Sequence, residues 1–182
     1  MSAVITLPAV GTYTLDPSHS SVEFVVRHLM VAKVRGRFTL VSADLTIAEA
    51  FADTTLQATI DAASLTTGDE QRDAHVTSAD FLEVTIFPHL SFSLRELNAS
   101  STSLTATGRL TIRDVTQDVV LDVDYLGEAT DPWGNAKVAF SASTTIDREA
   151  FGITWNQALE TGGVLVGKTV TIEIDAQFAK NA

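Results

Sequence analysis

The feature that most constrains this chain is its share of side chains branched at Cβ. Of its 182 residues, 51 are Thr, Val or Ile, with 24 Thr, 18 Val and 9 Ile. Such side chains lose rotamer freedom in a helix and pack well on a pleated sheet. Apolar and polar residues also alternate with a period of two along much of the chain. The sequence therefore predicts an antiparallel, mostly β protein.

The period-two pattern locates the strands, and the turn-favouring residues between the strands locate the turns. Turn-favouring residues occur at Asp16-Pro17, at Pro88 and at Asp131-Pro132-Trp133-Gly134-Asn135. Strands separated by such turns are typical of a sandwich or a barrel rather than of alternating βα units. We predict strands over 12–16, 20–28, 34–47, 55–61, 87–97, 103–113, 117–126, 136–147 and 169–178.

Most of these strands have one apolar and one polar face. The alternate residues Leu104, Ala106, Leu110 and Ile112 are apolar, for example, and the residues between them are mainly polar. An antiparallel sheet can bury such a face by forming a sandwich or by closing on itself. About eight strands give a barrel whose interior is either filled by side chains or hollow enough for one small ligand. The periodicity leaves both outcomes open.

One segment, 67–82, carries a helical signal. Thr67 and Glu70 have the spacing of a capping box, and Ser78 is placed to cap a second short turn that runs into Phe81 and Leu82. We expect a helical insertion long enough to cover one end of a barrel. No linker or repeat divides the chain, so we predict one domain over 1–182, with residues 1–11 as an N-terminal extension.

Charge and cysteine content exclude several classes of function. The chain has 12 Lys and Arg against 23 Asp and Glu, a net charge of −11, and no cysteine. Thiol chemistry, disulfides and cysteine-bound metals are therefore excluded, and the acidity disfavours nucleic acid. An acidic exterior also predicts no stable attachment to an anionic membrane.

The sequence also bears on cellular location. No apolar run approaches the roughly 20 residues of a membrane-spanning helix. The first ten residues have neither Lys nor Arg, and Pro8 interrupts their short apolar stretch, so they do not match a secretory signal. We therefore expect a cytoplasmic protein.

A phosphate-binding loop pattern occurs late in the chain. Residues 162–169, GGVLVGKT, match G-x-x-x-x-G-K-[ST]. That loop functions at the N-terminus of a helix, whereas Val170, Ile172 and Ile174 alternate as in a strand. We interpret the segment as a glycine-rich connection into the last strand.

The four histidines, His19, His28, His75 and His89, lack the paired spacing of metal ligands, and we predict no metal site. His28 shares strand parity with apolar neighbours, so it is expected on the apolar side. There it is either a core histidine with a hydrogen-bond partner or a polar anchor in a pocket. From spacing alone, Arg72-Asp73-Ala74-His75 is more typical of a solvated face. No catalytic constellation and no cofactor motif occurs.

Several segments together resemble the YceI family of lipid-binding β-barrels. They run in family order over about 12–178, and the match is specific because so many occur together. Those that carry the resemblance are Tyr13-Thr14-Leu15-Asp16-Pro17-Ser18-His19-Ser20, Val22-x-Phe24-x-Val26-x-His28, Val34-x-Gly36-x-Phe38, Ser64-Leu65-Thr66-Thr67-Gly68, Arg72-Asp73-x-His75-Val76, Asp80-Phe81-Leu82, Phe87-Pro88-His89-Leu90-Ser91-Phe92, Thr107-Gly108-x-Leu110-Thr111-Ile112, Val115-Thr116 and Ile146-Asp147-Arg148-Glu149-Ala150-Phe151-Gly152-Ile153.

The resemblance implies an extended, eight-stranded antiparallel lipocalin-like barrel. Its apolar lumen would hold a long isoprenoid or quinone-like lipid, often in a homodimer. The implied residues of the lumen are Phe24, Val26, Phe38, Phe92 and Phe140, and those of a polar mouth are His28, Arg72, Asp73 and His75. Arg72 and Asp73 would either hold the mouth loop or meet a head group.

The sequence therefore predicts a non-catalytic protein that binds, sequesters or transports a long-chain lipid. One alternative is a hydrolase or isomerase acting on a lipidic substrate, with His28 or His75 as general base; it requires a carboxylate that orients the histidine. A structural barrel with no ligand is a third hypothesis.

Overall fold

A computed structural model describes residues 7–39 and 41–182, and this part of the chain contains eleven strands, one α-helix and four short 3₁₀ turns. The strands are β1 (Gly11–Leu15), β2 (Ser21–His28), β3 (Ala32–Phe38), β4 (Val41–Ile47), β5 (Thr55–Asp61), β6 (Leu65–Thr66), β7 (His89–Ala99), β8 (Leu104–Ile112), β9 (Val115–Thr130), β10 (Ala136–Asp147) and β11 (Val166–Lys180). The helix is α1 (Glu70–Thr77).

The strands form one closed antiparallel barrel with eight positions. β1 and β2 together form the first position, β3 and β4 the second, and β5 and β6 the third. β7, β8, β9, β10 and β11 follow in chain order, each paired with the one before it. β11 then closes the ring by pairing with β1 and with β2. Closure leaves no long unpaired edge.

The all-β, eight-stranded, antiparallel barrel predicted from the sequence is confirmed. The strand periodicity placed nine segments within a few residues of the observed strands. The predicted strand 34–47 is two strands, β3 and β4, and includes Leu40, which lies outside the described residues. The two-residue strand β6 was not predicted because it is too short to show a period. The single-domain organisation and the extension at 1–11 stay predictions, and residues 1–6 of that extension are not described.

The predicted helical insertion at 67–82 is only half helical. α1 covers Glu70–Thr77, and turns follow it up to the start of β7. The predicted capping box is wrong: the side chain of Asp69, not Thr67, accepts the N–H of Arg72 at 2.8 Å and caps the helix. Ser78 ends α1 and also begins the predicted second turn: its side chain accepts the N–H of Asp80 at 3.3 Å, and its carbonyl accepts the N–H of Phe81 at 3.1 Å.

The antiparallel register gives the barrel two different ends. The end we call the helical end carries α1, the β2–β3 turn and the connection from η4, the 3₁₀ turn Arg148–Phe151, to β11. The other, the terminal end, carries the start of β1, the end of β11 and the turn between β9 and β10. No helix in the described part of the chain is long and apolar enough to cross a membrane.

Candidate functional site: an apolar tunnel through the barrel

A cavity of about 440 Å³ lies inside the barrel, and its surface is almost entirely apolar. Along β11 its wall includes Val166 and, beyond a bulge, the alternate residues from Val170 to Phe178. The bulge takes up two extra residues of β11. At about 3.3 Å per residue and a strand tilt of about 40°, the stretch therefore spans about 25 Å along the barrel axis. The interior is therefore a tunnel rather than a filled core.

Two glycines let aromatic rings lie flat against the wall of the tunnel. A Cβ atom built on Gly36 would overlap the ring of Phe24, 2.5 Å from its Cε1 atom. A Cβ atom on Gly108 would overlap the ring of Phe92 in the same way. Each ring therefore covers the backbone of the neighbouring strand instead of projecting into the lumen.

All five residues named for the lumen line this cavity. Phe24 and Phe38 have ring centroids 6.0 Å apart, and Phe140 packs against Tyr125 and Phe178 nearer the terminal end. Val26 and Phe92 complete the set. Strand parity is sufficient to place them, because alternate residues of a barrel strand face the same side.

An aromatic group of three residues borders the tunnel at the helical end. The ring of His75 is perpendicular to the rings of Trp155, at a centroid distance of 4.6 Å, and Phe81, at 5.1 Å. The Nε2 atom of His75 lies 2.9 Å from a carboxylate oxygen of Asp80. All three rings line the cavity, while the histidine keeps a polar link to the exterior. This group therefore forms part of the cavity wall at the helical end.

Arg72 and Asp73 both contact Thr67, the residue after β6. Arg72 donates to the hydroxyl and the carbonyl of Thr67 at 2.8 and 3.1 Å. Asp73 accepts the N–H and the hydroxyl of Thr67 at 2.7 and 2.5 Å. Desolvation raises the pKa of the Asp73 carboxyl, but the hydrogen bonds from Thr67 and the charge of Arg72 outweigh it and hold the pKa below its usual value. Arg72 lines the cavity, and Asp73 does not.

A buried cation, Arg148, lies next to the tunnel at the same end. Its guanidinium donates to the carbonyls of Ile153, Gly167 and Val166 at 2.8, 2.9 and 3.3 Å. The side chain is 4 % exposed, and no carboxylate of the described residues lies within ion-pair distance of it. Burial lowers the pKa of Arg148, although an arginine stays charged at any physiological pH. The tunnel therefore has a fixed positive charge at this end.

His28 also lies on the cavity wall at the helical end, opposite Val166 in the β2–β11 ladder. Its side chain has no hydrogen-bond partner among residues 7–39 and 41–182. Sequence reasoning named His28 as a site residue, but it did not name Trp155, and it gave Arg148 no role beyond its place in a family segment. Arg148 begins η4, and Trp155 lies in the connection between η4 and β11. No periodicity there indicates which side chains turn inward.

The structure also bears on the glycine-rich segment 162–169 and on the prediction that there is no metal site. The segment 162–169 runs into strand β11, and no helix begins there, so it lacks the geometry of a phosphate-binding loop. In the described ranges, no three His, Asp or Glu side chains are grouped closely enough to hold a metal ion.

A closed antiparallel barrel with an apolar tunnel belongs to the class of small-ligand-binding barrels that includes the lipocalins. Within that class, this chain is a member of the YceI family: the sequence profile of the YceI-like domain matches residues 13–178. The family relationship expected from the sequence is confirmed.

Relatives match over most of their length. A UPF0312 protein of Staphylococcus aureus strain USA300 is 38 % identical over 172 residues, which cover 92 % of this chain and 96 % of the relative. The crystal structure of the Campylobacter jejuni YCEI protein has a TM-score of 0.72 and 27 % identity, over 86 % of this chain and 90 % of that one.

Two further solved structures share the fold at lower identity. Burkholderia cenocepacia BcnA has a TM-score of 0.77 and 24 % identity, over 90 % of this chain and 98 % of that one. A polyisoprenoid binding domain from Saccharophagus degradans, implicated in plant cell wall breakdown, has a TM-score of 0.68 and 14 % identity, over 95 % of this chain and all of that one, 100 %.

Proposed function

We propose that this protein binds a long-chain isoprenoid or quinone-like lipid in its tunnel and does so without catalysis. The observation that carries the proposal is the length and apolar surface of the cavity. A compact ligand would leave most of a tunnel about 25 Å long unfilled, whereas a long hydrocarbon chain matches it from end to end.

The binding energy comes from the chain of the lipid. Each methylene transferred from water contributes about 0.8 kcal/mol, so ten of them contribute about 8 kcal/mol before ordering costs. The middle of the tunnel has almost no polar surface, and a chain there needs no polar contact. Discrimination between head groups is correspondingly modest.

The polar groups support one orientation of the ligand. His28, Arg72, His75 and Arg148 all line the cavity at the helical end. A head group with hydrogen-bond acceptors, such as a phosphate or a quinone carbonyl, would meet the charge of Arg148 and the ring of His28 there. The hydrocarbon tail would then extend past Phe24 and Phe92 towards the terminal end. Asp73, which faces Thr67, serves this site by holding the loop before α1.

The comparisons support the proposal at the level of the family. One protein with this fold is described as a polyisoprenoid binding domain. The S. aureus relatives carry no enzymatic name. Sequestration or transport, a cytoplasmic location and a homodimer are the finer parts of the proposal. They are tested by following lipid transfer between vesicles, by cell fractionation and by sedimentation of the purified protein.

A blocked tunnel tests the proposed site. Ala142 lines the cavity on β10, and the adjacent Ser143 is exposed on the other face of the same strand. Ala142→Phe should abolish binding of a long-chain benzoquinone, and Ser143→Phe should leave it unchanged. Quenching of Trp155, which lines the cavity, gives the readout. Equal binding by both variants would place the ligand outside the tunnel.

The contact between His75 and Asp80 favours a second candidate, a hydrolase or isomerase acting on a lipidic substrate. A carboxylate 2.9 Å from the imidazole is the orienting group that a histidine base requires. The test is the double variant His28→Gln with His75→Gln. Hydrolysis or isomerisation of prenyl esters or prenyl alcohols that is present in the wild type and lost in this variant would support the enzyme. A turnover that is unaffected by the change would exclude both histidines as the base.

A further inference from the structure

The β2–β3 hairpin has an apolar tip whose side chains pack little within the protein. Leu29, Met30 and Val31, which we call the tip, are 45 %, 56 % and 74 % exposed. Leu29 and Met30 both have positive φ angles, 52° and 67°. Together with the N–H of Val31 donating to the carbonyl of His28, these angles resemble a type I′ turn, which favours Asn-Gly at its two central positions. Bulky apolar residues there strain the backbone and leave apolar surface in water.

The charge of this hairpin is opposite to that of the chain. The hairpin, residues 21–38, contains four of the 12 Lys and Arg residues and one of the 23 Asp and Glu residues, Glu23, which lies opposite Arg37. The four cations, Arg27, Lys33, Arg35 and Arg37, are all exposed. Glu173 pairs with Arg35 at 3.2 Å, and the other three have no ion pair within the described part of the chain. The hairpin is thus a basic surface on a protein of net charge −11.

The tip lies at the end of the tunnel. The N–H of Leu29 donates to the carbonyl of Leu165 at 2.8 Å, and Leu165 lines the cavity together with His28. The side chain of Met30 lies against Gly163, whose added Cβ would be 3.0 Å from Cγ of Met30. A surface that receives the tip therefore also faces the helical end of the tunnel.

We propose that the β2–β3 hairpin docks this end of the barrel onto an anionic lipid bilayer, with the tip in the interface and the basic side chains on the head groups. Exposed apolar residues beside cations are the combination that binds such an interface. The net negative charge of the rest of the protein keeps docking reversible and orients the approach. This docking serves the proposed lipid binding, because it brings the tunnel end to the acyl chains.

The opposite end provides a control. Trp133 is 84 % exposed in the β9–β10 turn at the terminal end. Glu128 and Asp131 lie near it, and Lys137, the nearest basic residue along the chain, is paired with Asp16 at 3.0 Å. An anionic bilayer repels this end, although tryptophan alone favours membrane interfaces. Trp133 therefore tests whether one exposed apolar side chain is enough to bind the bilayer without the basic strands that accompany the tip.

The experiment measures flotation of the full chain with vesicles. Vesicles of phosphatidylcholine and phosphatidylglycerol in equal parts should bind the protein at low salt, and vesicles of phosphatidylcholine alone should bind it at least tenfold more weakly. Leu29→Asn with Met30→Gly fits the turn and keeps the fold, yet should reduce binding to the anionic vesicles at least tenfold. Lys33→Gln and Arg37→Gln should each weaken it about fivefold. Trp133→Ser should leave it unchanged.

Four results would overturn the proposal. The first three are equal binding to both vesicle types, unchanged binding of the variant Leu29→Asn with Met30→Gly, and loss of binding with Trp133→Ser. The fourth comes from sedimentation: the wild type is a dimer, the same double variant is a monomer, and vesicles bind neither protein. Quenching of Trp155 by a detergent-solubilised benzoquinone reports tunnel binding separately. The two assays can therefore give different answers: the tunnel can bind the quinone in a protein that does not dock, and a protein that docks can fail to bind the quinone.

Discussion

Gly36→Ala should reduce ligand affinity while leaving the barrel folded. The three heavy atoms nearest to the new methyl group, all within 3.1 Å, belong to the ring of Phe24, so that ring must move. The backbone of Gly36 has no positive φ angle, and alanine is compatible with it. Because the wall blocks the ring on one side, we expect it to rotate into the lumen.

Gly36→Ala should change the free energy of unfolding much less than the free energy of ligand binding. Overpacking costs about 1–3 kcal/mol, and the space of the cavity reduces this towards the lower value. The smaller entropy of the unfolded alanine chain returns about 0.4–1 kcal/mol, so the free energy of unfolding should change by less than about 1 kcal/mol. A ring inside the tunnel displaces roughly two to three methylenes of the ligand, at about 0.8 kcal/mol each. The loss is about 2 kcal/mol, or roughly thirtyfold in affinity.

The assay is fluorescence titration with a long-chain benzoquinone in a Trp133→Phe background, where Trp155 is the remaining tryptophan. Gly167→Ala is the matched control, because its added Cβ would meet Arg27 at 3.3 Å rather than a ring of the lumen. Adding Phe24→Ala to Gly36→Ala should restore the affinity, and the double-mutant cycle measures the coupling. Unchanged affinity of Gly36→Ala, or no restoration by Phe24→Ala, would refute the reasoning.

Three further variants address the helical end. Arg148→Met leaves three carbonyls without their donor and should lower the free energy of unfolding in urea by about 3 kcal/mol; an unchanged midpoint would contradict this role. Folding lowers the pKa of Asp73, so the Asp73 carboxylate contributes its full stabilisation to the folded state at pH values above the ordinary carboxyl range, about 4. This contribution is lost as the pH falls through the lowered pKa of the folded state. Asp73→Asn should thus be about 1 kcal/mol less stable at neutral pH, and thermal melts should show the gap closing below about pH 4; a constant gap would argue against the linkage. Leu29→Asn with Met30→Gly relieves two strained residues and should raise the melting temperature by several degrees, and a decrease would show that the tip stabilises the barrel.

The strands could be predicted because a barrel wall imposes the same period on every segment. Alternation from Leu104 to Ile112 and from Val170 to Phe178 matches the residues that line the tunnel. The period alone did not decide between a filled and a hollow barrel. That depends on where Phe24 and Phe92 place their rings, which Gly36 and Gly108 determine from neighbouring strands. A pattern within one segment carries no signal of such a contact across strands.

The helical end was harder to predict because its geometry is set by individual contacts. Asp69 rather than Thr67 caps α1, since Asp73 already binds the hydroxyl of Thr67. The apolar residues Phe81 and Leu82 extended the predicted helix, but they fold inward through turns. Arg148 lies in the 3₁₀ turn η4 and Trp155 in the irregular connection that follows it, and nothing in the sequence shows which side chains there become buried.

The central claim is that the tunnel holds a long apolar chain, and mass spectrometry of an organic extract tests it most directly. The wild type and the Ala142→Phe variant would be purified without detergent from the same expression host and extracted in parallel. We predict one long-chain lipid per wild-type chain, and none above background in the blocked variant. A wild-type protein that yields no lipid and binds no added benzoquinone, or equal amounts of lipid from both proteins, would contradict the account.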